Sequence, residues 1–406
     1  MNMTNRIIII GNGIAGITAV KAIREVDKES EVFIFGEEKF YPYNRIKLSK
    51  NLFDELSEDN TLLLKKSWYE ENKVNIYVSK KVTKINIENK EVVLCDESIL
   101  KYDKLLLANG ARNNKPPVEG IEKPGVFNLR TLQDAWDIKS KIKKGESVIN
   151  IGGGIQGLET AWNLNQHGIN VSIVEIQSRL MPNQLDEKAS KILQDSVEKF
   201  GINIYLNTRV NKIAGNNEIE GVVTSSDEFM PCNKVIYSAG IKPNIEMFED
   251  TPIKCEKGIV INEKMETNIA DIYAAGDVAE LDNFVPGLWN ISIGQGKVAG
   301  YNMVGKDSTY KHIVPVTTLN AFKLSLFSMG CVDENNATNV IVEDNDEGQY
   351  MKVFVRDRKI VGAIVIGDTK RSPILKSAIE KEISLEAIDL SKISVTELLN
   401  KIQSKK

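Results

Sequence analysis

Apolar and polar positions along this chain fall into two rhythms. RIIII (6–10) is a run of β-branched residues, too short for a helix, and predicts a buried strand. GNGIAG follows, then helical spacing to about Val26, then a second apolar run, EVFIF (31–35). The order is strand, glycine turn, helix, strand. SVINIGGGIQGLETAWNLNQHGINVSIVE (147–175) repeats it, with Gly168 predicted to cap the helix after His167. This internal repeat is the main organisational signal. Between the copies, WYEENKVNIYVS (68–79) predicts a helix end and a strand, and KVTKINIENKEVVLCD and KYDKLLLANG predict short strands. ARNNKPPVEGIEKPG (111–125) carries three prolines and predicts a linker. KVIYSAGIKPN (234–244) predicts a strand leading out of the second copy through Gly240. DIYAAGD (271–277) predicts a short strand ending in Gly276 and Asp277, and a helix opens near Asn290 after Pro286 and Gly287.

From about residue 310 the rhythm changes. VTTLNAFKLSLFSMG and QYMKVFVRDRKIVGAIVIGD read as antiparallel strands, the latter turning at Arg356–Lys359. SPILKSAIEKEIS predicts a helix with Ser372 as N-cap and Pro373 at its first position. The organisation predicted is α/β: two Rossmann-like domains plus a small C-terminal α+β domain.

Composition narrows the function. A length of 406 residues suits two or three domains, and a net charge of −4 argues against a nucleic-acid binder. Four cysteines without a CxxC pair and two histidines predict no iron–sulfur, zinc or other metal centre; the cysteines read as reduced thiols of a cytoplasmic protein. Three glycines interrupt the apolar start, unlike a signal peptide, and no segment approaches the ~18 apolar residues of a membrane span.

Each GxGxxG follows an apolar strand and opens a helix, an arrangement that aims backbone N–H groups and a helix N-terminus at a pyrophosphate. Gly11 and Gly152 serve the tight turn, Gly13 and Gly154 the approach to phosphates, Gly16 and Gly157 the packing of helix on strand. Glu175, ending VSIVE, is placed to accept hydrogen bonds from a ribose and to repel a 2′-phosphate, which predicts NADH over NADPH. In the first copy Gly36 holds that position, and Glu37 is the acid expected for the ribose.

Four stretches together resemble the FAD- and NAD-linked reductases of the two-dinucleotide-binding-domain flavoprotein superfamily. They are Gly11–Gly16, Leu107–Gly110 (LANG, with Asn109 where the family has Thr), Gly152–Glu159 and Ile272–Asp277. The resemblance implies a glutathione-reductase-like fold with FAD in the first copy and NAD(H) in the second. It gives 1–110 and 244–309 as two parts of the FAD domain, 111–243 as the NAD domain and 310–406 as the C-terminal domain. It also implies that Asn109, Gly110, Gly240, Gly276 and Asp277 line the cofactors, with Asp277 bonding the ribityl chain. Arg130 would lie near the flavin, Val82 would contact the adenine side through its backbone, and the helix near Asn290 would point its N-terminus at the flavin, with Trp289 just ahead of it.

FYPYNRIKLSK (40–50) selects a branch. Dithiol reductases and peroxide-reducing relatives keep cysteine near this place, and residues 36–60 have none. Tyr43, Arg45, Leu48, Ser49 and Lys50 instead resemble the YxRxxLSK segment of rubredoxin reductases, ferredoxin reductases and the flavin part of assimilatory nitrite reductases; Ile46 and Lys47 replace the usual prolines. The resemblance implies that Lys50 lies by flavin N5 and pairs with Glu159, where a fixed cation favours negative charge in the reduced cofactor. The expected activity is electron transfer from NADH through FAD to a small one-electron carrier, rubredoxin first. A nitrite-reductase component, an NADH oxidase and a non-enzymatic redox sensor are the alternatives.

Overall fold

The computed structural model describes residues 5–285, 287–345 and 348–404; Pro286 and the first four residues of the apolar start lie outside them. The chain forms two compact units. One holds the chain through Leu48 with Asp54–Asn114 and Gly240–His312; the other holds Ser49–Phe53, Lys115–Ala239 and the chain from Ile313.

The core of the first unit is a five-stranded parallel sheet. Its order is Ile272–Ala274, Lys104–Leu107, Arg6–Ile10, Glu31–Phe35, Val74–Tyr77. Parallel sheets are covered on both faces, which is why the isoleucines of RIIII are all buried. The second unit repeats the plan in the order Asn203–Tyr205, Asn170–Val174, Ser147–Ile151, Lys234–Tyr237, Val126–Asn128. Four strands correspond one to one. The fifth comes from chain after the repeat in one unit and before it in the other. The repeat also runs further than the sequence suggests. Between its third and fourth strands each unit inserts a three-stranded antiparallel meander, opened by Val82–Asn86 in one and Val210–Ala214 in the other, with a register shift just after the opening valine in both.

The predicted linker is partly strand. Ala111–Asn113 pairs antiparallel with Ile241–Pro243, so the chain leaving and the chain returning form one ribbon. In the C-terminal part five antiparallel strands run in the order Val316–Ala321, Leu324–Gly330, Lys359–Ile366, Tyr350–Arg356, Asn339–Asp344. Helices Ser372–Glu380 and Val395–Gln403 pack on them through Leu375, Leu398 and Leu399. The helix at 372 starts one residue earlier than predicted. Arg371 is its N-cap and Ser372 is already helical, because the Ser372 N–H closes a turn onto Thr369 O at 3.0 Å. Among the described residues no helix is long and apolar enough to cross a membrane.

In the first unit, helix Ile14–Val26 lies against helix Trp289–Met303 at very short range. A Cβ on Gly296 would stand 2.3 Å from Ala15 O, and one on Gly300 would stand 2.3 Å from Ala19 O. Two glycines four residues apart on one helix face two alanines four apart on the other. That spacing keeps both contacts on one helix face.

Candidate functional sites: two dinucleotide cradles

Both cradles are built alike. Gly11 (φ +106°) and Gly152 (φ +113°) adopt a left-handed backbone that other residues resist. A Cβ there would collide with Ala108 O at 2.1 Å and Ser238 O at 2.5 Å. The first glycine thus seats each turn against the end of the fourth strand, besides making it tight. Gly16 and Gly157 lie over Gly11 O and Gly152 O, where a Cβ would come within 2.3 and 2.2 Å. Gly13 and Gly154 are different. Each is the N-cap of its helix, makes no side-chain cap, and faces open space where a Cβ would sit. The first-turn N–H groups therefore look into a cleared approach with no competing side-chain acceptor, which fits a pyrophosphate.

Glu175 is buried at the end of Asn170–Val174. Its carboxylate accepts from Gly153 N–H at 2.6 Å and from Gln177 N–H at 2.8 Å, so it is fixed beside the second cradle. Glu175→Ala should raise the KM for NADH roughly 10- to 100-fold, the weight of one or two charge-assisted hydrogen bonds. It should shrink the NADH over NADPH preference measured as a ratio of kcat/KM. In the first unit Glu37 is 67% exposed and pairs with Lys81 at 2.8 Å. Glu38, beside it, binds Tyr43 Oη at 2.6 Å and the Arg45 guanidinium.

The remaining positions of the first unit fall into several local groups. Asn109 and Asn244 exchange amide hydrogen bonds, Asn109 Nδ2 to Asn244 O at 2.7 Å and Asn244 Nδ2 to Asn109 O at 2.9 Å. Asn109 Oδ1 is left buried with no protein donor, an orphan acceptor of the kind a ligand satisfies. Gly110 O accepts from Asn244 N–H at 3.0 Å, and Gly240 O from Asn114 N–H at 2.9 Å. Gly276 N–H donates to buried Gln295 Oε1 at 2.8 Å, and Ser292 Oγ donates to Asp277 at 3.2 Å. Arg45 lies over the Tyr43 ring and donates to its hydroxyl at 2.8 Å. Burial works against its charge, but Tyr43, Glu38 and Asp277 outweigh that and hold its pKa above the ordinary value. Val82 is buried at the head of its meander, opposite Leu94. Trp289 is the first residue of the helix Trp289–Met303, which has no side-chain N-cap.

In the second unit the structure brings Lys50 and Glu159 together at 3.9 Å. Lys50 ends the short helix Ile46–Lys50, which the sequence reading did not foresee. Its side chain is 45% exposed; that of Glu159 is only 11% exposed. Ser49, already part of the YxRxxLSK resemblance, and Asn163, not singled out from the sequence, support the pair. Ser49 Oγ donates to Glu159 at 2.6 Å, and Asn163, one helical turn beyond Glu159, donates to Ser49 O at 2.9 Å. The signal was the i, i+4 spacing of Glu159 and Asn163 on one helix face. Burial raises the Glu159 pKa above the ordinary carboxylate value, against the pull of Ser49 and Lys50. Arg130 donates its backbone N–H to Asp134 at 3.0 Å, at the capped start of helix Leu132–Lys141. His167 caps its helix and stacks on Phe53 at 4.2 Å.

The Glu159 shift has a checkable consequence. Its folded pKa lies above the unfolded one, so the charge costs stability once pH rises past the unfolded value and through the raised one. Glu159→Gln keeps an acceptor for Ser49 without that charge. It should therefore show a higher urea midpoint than wild type at pH 7, with the gain vanishing in acid below the ordinary carboxylate range.

Among the described residues no group of three or more His, Cys, Asp or Glu is arranged to hold a metal ion. Cys232 is buried, and burial pushes its thiol up to about 11, so it is protonated at neutral pH.

Two parallel-sheet units, each with a glycine cradle at a helix N-terminus, define a protein with two dinucleotide-binding folds. The pyridine nucleotide-disulphide oxidoreductase model matches residues 5–296, and this chain belongs to that family. The rubredoxin NAD+ reductase C-terminal domain model matches 315–383. The NADH-rubredoxin oxidoreductase of Clostridium acetobutylicum is 35% identical over 95% of this chain and 97% of its own length. A crystal structure of NADH:rubredoxin oxidoreductase from that organism superposes with a TM-score of 0.81 at 33% identity, covering 98% of this chain and all of that one. Nitrite reductase [NAD(P)H] of Bacillus subtilis is 34% identical over 97% of this chain, which spans 49% of that relative.

Proposed function

We propose that this chain takes a hydride from NADH onto FAD and delivers the electrons singly to a small carrier protein, rubredoxin in the first place. One observation carries the reading: the family match over 5–296 is followed by a rubredoxin NAD+ reductase C-terminal domain at 315–383. In this reading the first unit holds FAD through Gly11, Gly13 and Gly16, Asn109 and Gly110, and Gly276 and Asp277. The second holds NADH through Gly152, Gly154, Gly157 and Glu175. FAD, when bound, supplies the exchange between two-electron and one-electron chemistry. The chain's own residues bind, orient and set the field. Lys50 supplies a positive charge. Ser49 bonds the Glu159 carboxylate that holds it, and Asn163 holds the Ser49 backbone. With no cysteine in 36–60, electrons leave without a thiol relay. The reaction takes place in the cytoplasm, where unpaired thiols stay reduced.

A second reading has its own support. The chain is 34% identical to half of a nitrite reductase, so it could serve as the flavin component of such a system. A turnover comparison separates the two. Purified protein with NADH is given rubredoxin, ferredoxin, oxygen and the cluster-bearing component of a nitrite reductase in turn. Fastest turnover with rubredoxin is the expected result; rubredoxin reduction no faster than oxygen consumption would remove it as the acceptor.

A further inference from the structure

The two repeats differ at one facing pair of residues. Backbone hydrogen bonds put the units in register. Gly11 N–H donates to Phe35 O and Gly152 N–H to Val174 O, both at 2.8 Å. One residue beyond those strand ends, Gly36 N–H donates to Tyr77 O and Glu175 N–H to Tyr205 O, again at 2.8 Å. Gly36 therefore stands where Glu175 stands, and Asn12 stands where Gly153 stands.

The side chains at these positions are exchanged. In the second unit the Glu175 carboxylate lies over Gly153, whose Cβ would come 3.2 Å from Glu175 Oε2. In the first unit the Asn12 carboxamide lies over Gly36, whose Cβ would come 2.5 Å from Asn12 Cγ. One polar head group fills the same slot, supplied from opposite sides. Asn12 is buried, and its Nδ2 donates to Phe40 O at 3.0 Å. A carbonyl can only accept, so that bond fixes the amide with Oδ1 as the remaining acceptor.

We propose that Asn12 Oδ1 accepts a hydrogen bond from a hydroxyl of the FAD adenosine ribose, the task expected of Glu175 toward NADH; this rests on the first unit being the FAD site. The nearby acids are engaged elsewhere, Glu37 with Lys81 and Glu38 with Arg45 and Tyr43. The change from carboxylate to amide has a chemical reason. Glu175 must both accept hydroxyls and repel a 2′-phosphate. FAD has no 2′-phosphorylated competitor to exclude, so a neutral acceptor meets the need.

The test uses the full chain freed of its flavin. It is titrated with FAD and with an FAD analogue lacking both adenosine ribose hydroxyls, followed by flavin fluorescence. Asn12→Ala should weaken FAD binding about 3- to 10-fold, the weight of one neutral hydrogen bond, and leave binding of the analogue as in wild type. The double variant N12G/G36E, which rebuilds the second unit's pair, should regain the preference for FAD over the analogue. Three results would overturn the assignment: Asn12→Ala binding FAD as wild type does, Asn12→Ala keeping the full preference, or Glu37→Ala erasing it. If Asn12→Ala does not fold, N12G/G36E decides, and failure to prefer FAD rejects the role. A wild-type chain that takes up no FAD would sink the FAD reading along with it.

Discussion

Lys50→Met should slow reduction of the flavin by NADH about 10- to 100-fold in stopped flow, with little change in the urea midpoint. The two halves of that expectation have different causes. Lys50 is nearly half exposed and 3.9 Å from Glu159, so as a structural ion pair it is worth ~0–1 kcal/mol. Its loss alone would scarcely move stability. In the role proposed for it, facing negative charge that develops on the flavin, a cation is worth more, and one such preorganised group commonly contributes about 100- to 1,000-fold to rate. The exposure of Lys50 places it at or below the lower end of that range. Methionine keeps the unbranched apolar stem, one atom shorter, and removes the ammonium with its charge and its N–H donors. A rate within twofold of wild type would take Lys50 out of the mechanism. A large fall in urea midpoint would mean that the pair is structural.

Gly300→Ala should be the more damaging change to the fold. The added methyl would stand 2.3 Å from Ala19 O, a backbone atom that cannot swing aside. The two helices would have to move apart along their whole contact. Overpacking of this kind costs about 1–3 kcal/mol, and a backbone obstacle puts it at the upper end. Gly296→Ala meets Ala15 O in the same way, and Ala15 sits in the first turn after the Gly13 cradle. Both variants should lower the thermal midpoint, and Gly296→Ala should also release FAD more readily. Unchanged midpoints would show that the helices can slide apart at little cost.

Much of this was readable from the chain. Each cradle announced itself because strand, glycine and helix must follow one another within a short span to bring N–H groups to a phosphate. LANG and IYAAGD were readable as strand ends, but their link to a cofactor came only from the family resemblance. What stayed hidden depends on residues far apart in sequence. The Gly296 and Gly300 spacing was present in GQGKVAG, but its meaning needs Ala15 and Ala19. Asn12 occupies an unspecified position of GxGxxG, and its meaning needs Gly36, 24 residues on, over which its side chain lies. Asn163 was silent for the same reason, and the bond of Ser49 to Glu159, 110 residues away, was not readable from its motif. Strand Asn339–Asp344 was missed because NVIVED, at a sheet edge, carries polar residues at both ends.

The ribbon of Ala111–Asn113 with Ile241–Pro243 has a further consequence. It holds the points where the chain departs and returns side by side, with Asn114 N–H on Gly240 O at 2.9 Å. For the first unit, everything between is then a single loop whose ends are already joined. Closing a loop costs little more as it lengthens, about 0.6 kcal/mol for each doubling. An entire second nucleotide fold could therefore be accommodated there at small entropic cost, and the first unit's sheet is nearly indifferent to how long the excursion is. A turn of a few residues across that ribbon would close the same sheet.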